Sequence, residues 1–196
     1  MKLFLGIISI AVMLALPLYS IAEPLAKFDT KNHPKSNGLW LAVKYPSSWR
    51  AAEGERPHII QKFDRVDGDF YQSLMLQVNP LPAGAMQEVQ SLTTKDMTEF
   101  CQSFADNSRA YGVKKFIHEG QAAFIGNVDY SMDRVNQTFT FSQRLMVVFY
   151  KSNMIMLYCG TGSKPSYKAE MLIRQQSLSG SVCLQYFNSL VLMDRY

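Results

Sequence analysis

Phe139-Thr-Phe-Ser-Gln-Arg-Leu-Met-Val-Val-Phe-Tyr-Lys-Ser-Asn-Met-Ile-Met-Leu-Tyr-Cys159 decides the fold. Phe139, Phe141, Leu145, Val147 and Phe149 follow a period of two, which is the side-chain alternation of a β-strand. Met146, Val148 and Tyr150 make the opposite face apolar as well, and Met154 to Cys159 is apolar throughout. Strands apolar on both faces belong in the middle of a sheet that is covered on both sides. Two adjoining central strands, with cover above and below, are therefore the starting point.

Upstream, Phe124, Val128, Tyr130 and Met132 alternate with Asn127, Asp129 and Ser131, giving a strand with one core face and one face toward water. Before it the period changes. Met97, Phe100, Cys101 and Phe104 stand at i, i+3, i+4 and i+7, with Thr93 and Asp96 at capping-box spacing, so a helix is expected over Thr93 to Arg109, with Gly112 beyond its end. Earlier still, His58 to Phe63 and Ser73 to Val78 read as a hairpin around an acidic turn, Asp64 to Asp69, in which Gly68 supplies the permissive backbone. Leu39 to Tyr45 is another β-prone run, turned at Tyr45-Pro46-Ser47-Ser48-Trp49.

Downstream, Val182, Cys183, Phe187, Leu190 and Val191 mark a last helix, preceded by a polar, helical insertion at Lys164 to Gln176. The order strands, helix, antiparallel strands, helix indicates an α+β domain with helices flanking a mainly antiparallel sheet. No repeat, linker or low-complexity segment divides residues 23–196, so a single domain is expected there.

Residues 1–22 read differently. Lys2, the apolar run Leu3 to Leu16, the helix breaker Pro17 and small residues Ser20 and Ala22 are the three regions of a secretory signal peptide, with cleavage expected after Ala22. An uncleaved anchor is the competing reading, because about 20 apolar residues can span a bilayer. Export places the chain in the periplasm or outside the cell, with the membrane involved only in translocation. Cys101, Cys159 and Cys183 then meet an oxidising compartment, and three cysteines give one bridge and one free thiol. Cys159 ends an apolar strand and Cys183 opens the helix expected beside it, so this pair is preferred. Cys101 sits in an apolar helical stripe and behaves as a small buried hydrophobe.

The net charge of +4, without any block of five like charges, excludes a nucleic-acid-binding arm. No zinc-type His pair and no G-x-S-x-G elbow occurs. Two weaker chemical signals remain. Asp64, Asp67 and Asp69 offer hard oxygen ligands of the kind that hold Ca²⁺, although not at EF-hand spacing. Gly160-Thr-Gly162-Ser-Lys164 follows a strand and offers backbone N–H groups to an anion, although not at P-loop spacing. Against these stand two apolar surfaces suited to a protein partner. One is Met146, Tyr150, Met154, Met156 and Tyr158, if the final helix leaves them bare; the other is the rim of Trp40, Tyr45 and Trp49.

Gly38-Leu-Trp-Leu-Ala-Val-Lys-Tyr-Pro-Ser-Ser-Trp49 resembles the opening of the PsbP, Mog and DcrB group, and Phe187-Asn-Ser-Leu190 in the terminal helix is similar to that group too. The resemblance implies an α/β/α sandwich used as a binding or accessory module, and brings no common catalytic residues with it. The functional expectation is an exported, non-enzymatic accessory module of the bacterial envelope or secreted fraction, acting through protein–protein contacts and needing no cofactor. The alternative is an envelope enzyme, or a Ca²⁺- or anion-dependent binder, using the acidic turn 64–69 or the 160–164 loop.

Overall fold

The computed structural model describes residues 23–134 and 137–196. The expected leader, residues 1–22, lies outside the described residues. Among the described residues, ten strands form two antiparallel sheets. The smaller has β1 (Leu25–Asp29), β2 (Leu41–Pro46) and β10 (Val191–Leu192) in the order β1-β2-β10. The larger has seven strands, β3 (Arg50–Glu53), β4 (Ile59–Asp67), β5 (Phe70–Pro80), β6 (Arg109–His118), β7 (Gln121–Arg134), β8 (Gln137–Tyr150) and β9 (Asn153–Ser163), in the order β3-β4-β5-β9-β8-β7-β6. Four α-helices of the described residues complete the α+β fold: α1 (Ala85–Val89), α2 (Thr94–Gln102), α3 (Lys168–Leu178) and α4 (Leu184–Asn188).

The two-sided strands are central, as their patterning requires. β9 pairs with β5 on one side and β8 on the other. Alternate residues feed separate cores. Met146, Val148, Tyr150, Ile155, Leu157 and Cys159 face a first core, closed by the small sheet and the C-terminal helices through Leu41, Val43, Tyr186 and Phe187. Leu145, Val147, Phe149, Met156 and Tyr158 face a second core, closed by α1 and α2 through Val89, Met97 and Cys101. Both faces are thus hidden from water, which is what the apolar sequence on both faces demands.

Several sequence expectations change. The helix from Thr93 keeps its capping box, with the Thr93 N–H donating to Asp96 and the Asp96 N–H to Thr93 Oγ1, but it ends at Gln102. Arg109 begins β6 instead. Gly112, at φ +63°, marks an irregular register between Tyr111 and Lys114, a bulge that hides the strand's periodicity. The acidic turn shortens to Gly68 and Asp69, with Gly68 at φ +62°, because β4 runs on through Asp67. Lys164 to Gln176 is no insertion: α3 continues through a π-helical turn, Ser179–Cys183, into α4, and buries Met171, Gln175 and Leu178 against the sheet. Leu190 and Val191 fall beyond that helix, where Val191 pairs with Ala42.

The predicted disulfide is present: Cys159 and Cys183 are bonded across a Cα separation of 5.4 Å, and Cys101 is free and buried. The bridge joins the central strand β9 to the π turn, so the helix is tied to the sheet at its least regular point.

Candidate functional site

The expected apolar surfaces are consumed by the fold. Met146, Tyr150, Met156 and Tyr158 are buried, and Met154 packs partly buried against the second core. Trp49 is only 3% exposed, with the Arg65 guanidinium 5.2 Å from its ring. Tyr45 stacks on Phe63 at 3.9 Å between centroids, and Trp40 lies half-buried under the Lys31 ammonium. None of these residues forms an exposed patch, because each lies beneath a layer that sequence periodicity does not reveal.

The acidic and glycine-rich candidates also resolve into structure. Asp64 sits on β4, 4% exposed, opposite Arg50, which holds it with paired bonds of 2.9 and 3.0 Å. Lys62 lies 3.3 Å away and the Tyr71 hydroxyl donates at 3.1 Å. Asp67 is bound by Arg174 at 2.5 Å, whereas Asp69 is exposed. The three carboxylates do not converge, and no group of metal-ligating side chains occurs among the described residues. Gly160 and Gly162 are strand residues, laddered to β5 and β8, so their backbone groups are committed to the sheet. A Cβ at Gly160 would stand 2.9 Å from the Ser142 carbonyl, and one at Gly162 would stand 2.5 Å from the Phe141 ring. Glycine there admits neighbouring strands and side chains, not an anion. Lys164 is exposed beside Pro165, at a shallow depression shared with Gln137, Thr138 and Ser166.

The Asp64 cluster yields a pH prediction. Burial would raise the Asp64 carboxyl, but hydrogen bonds from Arg50, Tyr71 and Lys62 outweigh it and hold the group below its ordinary value of 3.8. A carboxylate lowered in the folded state contributes stability above its unfolded value, and that contribution is lost as the pH falls through the folded value. The melting temperature should therefore fall as the pH drops below about 4. Asp64→Asn should remove about 1.5 kcal/mol at neutral pH, at the low end for charge-assisted bonds because Arg50 is exposed, and should flatten the acid limb. An unchanged acid limb in Asp64→Asn would show that other groups govern it.

What remains open is a polar shelf on the first face of the sheet. Toward its lower end that face changes from apolar to polar: Thr161 and Ser163 on β9 and Thr140 on β8 are buried, Thr140 and Thr161 against Met171 and Gln175 of α3, while Ser142 on β8 and Asn127 and Asp129 on β7 line the opening itself. Arg109 and Tyr111 on the edge strand β6 extend the floor, and Leu172, Gln175, Gln176 and Ser179 from α3 and the π turn form a wall. The depression is open to solvent on one side and has a volume of about 490 Å³.

The wall is anchored from below. Gln175 accepts from Thr161 Oγ1 at 2.9 Å and donates to the Cys159 carbonyl and to Ser179 Oγ at 3.3 and 3.0 Å. Arg144 donates through Nη1 to the Ser179 carbonyl at 3.3 Å, while its buried Nε has no partner. On the floor, Ser142 Oγ donates to Asp129 Oδ1 at 2.6 Å and the Tyr111 hydroxyl to the same oxygen at 3.4 Å. Burial, followed by the Asp129 charge, raises the Tyr111 phenol, so it stays a donor at physiological pH. The π turn at the wall is itself a departure from helical regularity of the kind that recurs at functional sites.

Sequence reasoning reads Asn127, Asp129 and Ser131 as a water-facing row, which is correct in polarity. It misses Arg109 and Tyr111, which it assigns to the helix and the segment after it, and Gln175, which it places in an insertion. The signal that could locate them is β6 itself, whose alternation is broken at Gly112.

No family model matches the chain. No curated protein matches it in sequence. Among solved structures it is similar to LpqN, described as involved in cell envelope biogenesis of Mycobacterium tuberculosis, with a TM-score of 0.45 and 8% identity over 81% of this chain and 87% of that one.

Proposed function

We propose that the protein is an exported, non-catalytic accessory module of the cell envelope, of the PsbP, Mog and DcrB kind, and that it binds its protein partner at the polar shelf beside α3. The observation that carries this reading is the shelf: elsewhere both faces of the central sheet are packed into cores, while here Arg109, Asn127 and Asp129 line a floor open to solvent and exposed apolar residues stand at its rim. Tyr111 and Leu172 flank the floor at 42% and 36% exposure, and Ile173 follows on α3 at 69%. Exposed apolar and aromatic residues beside polar groups are the mixture from which protein interfaces are built. Export is supported by the leader-like residues 1–22 and by the Cys159–Cys183 bridge, a bond that persists in oxidising compartments. The non-catalytic reading is supported by the three histidines: His118 bonds to the Leu190 carbonyl, His33 caps a short 3₁₀ turn and His58 is exposed just before β4, and none is bonded to Ser142 or Asp129.

In-cell photo-crosslinking tests the proposal. A photoreactive side chain at Gln176, on the wall, should capture a reproducible neighbouring protein; one at Glu99, exposed on α2 across the sheet, should not. Capture from position 99 with none from 176 would place the interface elsewhere.

A further inference from the structure

The large sheet ends in two edge strands, and each carries an arginine directly opposite an aspartate of its neighbour. Arg50 of β3 faces Asp64 of β4, and Arg109 of β6 faces Asp129 of β7. The same register gives opposite outcomes. Arg50 closes on Asp64 with two bonds of 2.9 and 3.0 Å. Arg109 makes no ion pair with Asp129, and its guanidinium lies instead 6.0 Å from the Tyr111 ring. Asp129 is turned to other donors: Ser142 and Tyr111 both bond to Oδ1, leaving Oδ2 without a protein donor. A cationic donor and an anionic acceptor are thus held side by side, unpaired, on the floor of one shelf.

Directly opposed charges in a sheet ordinarily attract each other. A ligand that completes this pair must carry both charges over a short span, with an anion that accepts from a planar guanidinium and a cation that donates to Asp129 Oδ2. We infer that the shelf binds a free α-amino acid, its carboxylate on Arg109 and its ammonium on Asp129. Such a ligand has its two charged groups on one carbon, matching charges presented from opposed positions of neighbouring strands. Tyr111 and Leu172 stand beside the charged pair to take the side chain. Asn127 donates Nδ2 to the Tyr111 carbonyl, which keeps the floor in register and leaves its Oδ1 as a further acceptor.

This inference rests on the shelf being the binding surface, but its test is independent of partner capture. The probes are the free amino acids, titrated by calorimetry into protein purified after expression of the full chain, alongside their N-acetyl and α-amide derivatives and neutral saccharides. One or more free amino acids should bind, and each derivative, lacking one charge, should bind at least about tenfold more weakly. Arg109→Gln and Asp129→Asn should each weaken binding by a similar factor, with unchanged unliganded melting temperatures, since the Asn Oδ1 still accepts from Ser142. Arg50→Gln, at the closed pair, should leave affinity unchanged. Absence of binding by every free amino acid, equal binding of the acetylated or amidated forms, insensitivity to the Arg109 and Asp129 variants, or binding of saccharides alone would each overturn the inference. A neighbour captured from position 176 without amino-acid binding refutes this inference alone. Amino-acid binding without a neighbour refutes the protein-partner reading alone.

Discussion

Phe63→Ala is expected to destabilise the protein by about 3–5 kcal/mol, the usual cost of emptying a buried aromatic site. Phe63 is fully buried on β4, and its ring touches three elements besides its own. It stacks on Tyr45 of β2 at 3.9 Å, and meets Phe28 of β1 and Tyr186 of α4 edge-on at 5.9 and 6.3 Å. These contacts join the small sheet and the terminal helix to the large sheet, so a cavity here loosens two layers together. For a domain of this size each kcal/mol lowers the melting point by roughly 2–4 °C, which makes the expected fall about 6–20 °C. Urea denaturation of Phe63→Ala and Phe63→Leu would measure it, with Phe63→Leu costing less because it retains more of the volume. A loss below about 1 kcal/mol in Phe63→Ala would mean that the ring cluster does not hold the layers together. Tyr186→Phe is the matching control: its hydroxyl is buried without a partner, so deleting the oxygen should cost little or should stabilise.

The central strands show what is legible in the sequence. Met146, Val148 and Tyr150 beside Leu145, Val147 and Phe149 required a sheet covered on both faces, and the two cores divide as that alternation demands. Thr93 and Asp96 located a helix start because capping is local chemistry. Elements whose evidence is tertiary were hidden. β1 and β10 are short and exist by pairing with β2, β10 across most of the chain length. β6 is masked by its bulge at Gly112, which breaks the alternation just after the helical stripe of Met97 to Phe104. The continuous C-terminal helix reads as two pieces in sequence, because the extra residue of the π turn shifts the apolar face by one position and its first half is polar outside.

The site was less legible than the fold for a related reason. Trp40, Trp49 and the methionines are the residue types that make good interfaces, but composition does not say which apolar residues a third layer will cover. Gly160 and Gly162 suggested an approach for an anion, and they do admit close approach, by the Gln143 and Phe141 side chains of the next strand. The shelf depends on polar residues drawn from β6, β7, β8 and α3, and its most specific feature is the contrast between two Arg–Asp pairs at opposite edges of one sheet. Only strand order and register bring that contrast into view.

The disulfide carries the second large expected effect, and it bears on the shelf as well as on stability. Cys159 and Cys183 are 24 residues apart, and closing a loop of that length stabilises by about 3.5 kcal/mol on the chain-entropy estimate. The double variant Cys159→Ala, Cys183→Ala should therefore melt roughly 7–14 °C lower. Both cysteines are fully buried, so the native bond should resist added reductant. The third thiol is distinguishable: burial pushes Cys101 up to about 11, so at neutral pH it stays protonated inside the second core. Alkylation should then label no thiol in the native protein, one after unfolding without reductant, and three after unfolding with it. Two or more labelled thiols in the unreduced unfolded protein would overturn the pairing. Because the bridge fixes the π turn whose Ser179 and neighbouring Gln175 form the shelf wall, its loss should raise local opening there more than at α2. Hydrogen exchange of residues 172–183 in the double variant, compared with residues 94–102, would measure that difference, and equal increases in both segments would separate the bridge's effect on global stability from any role in holding the wall.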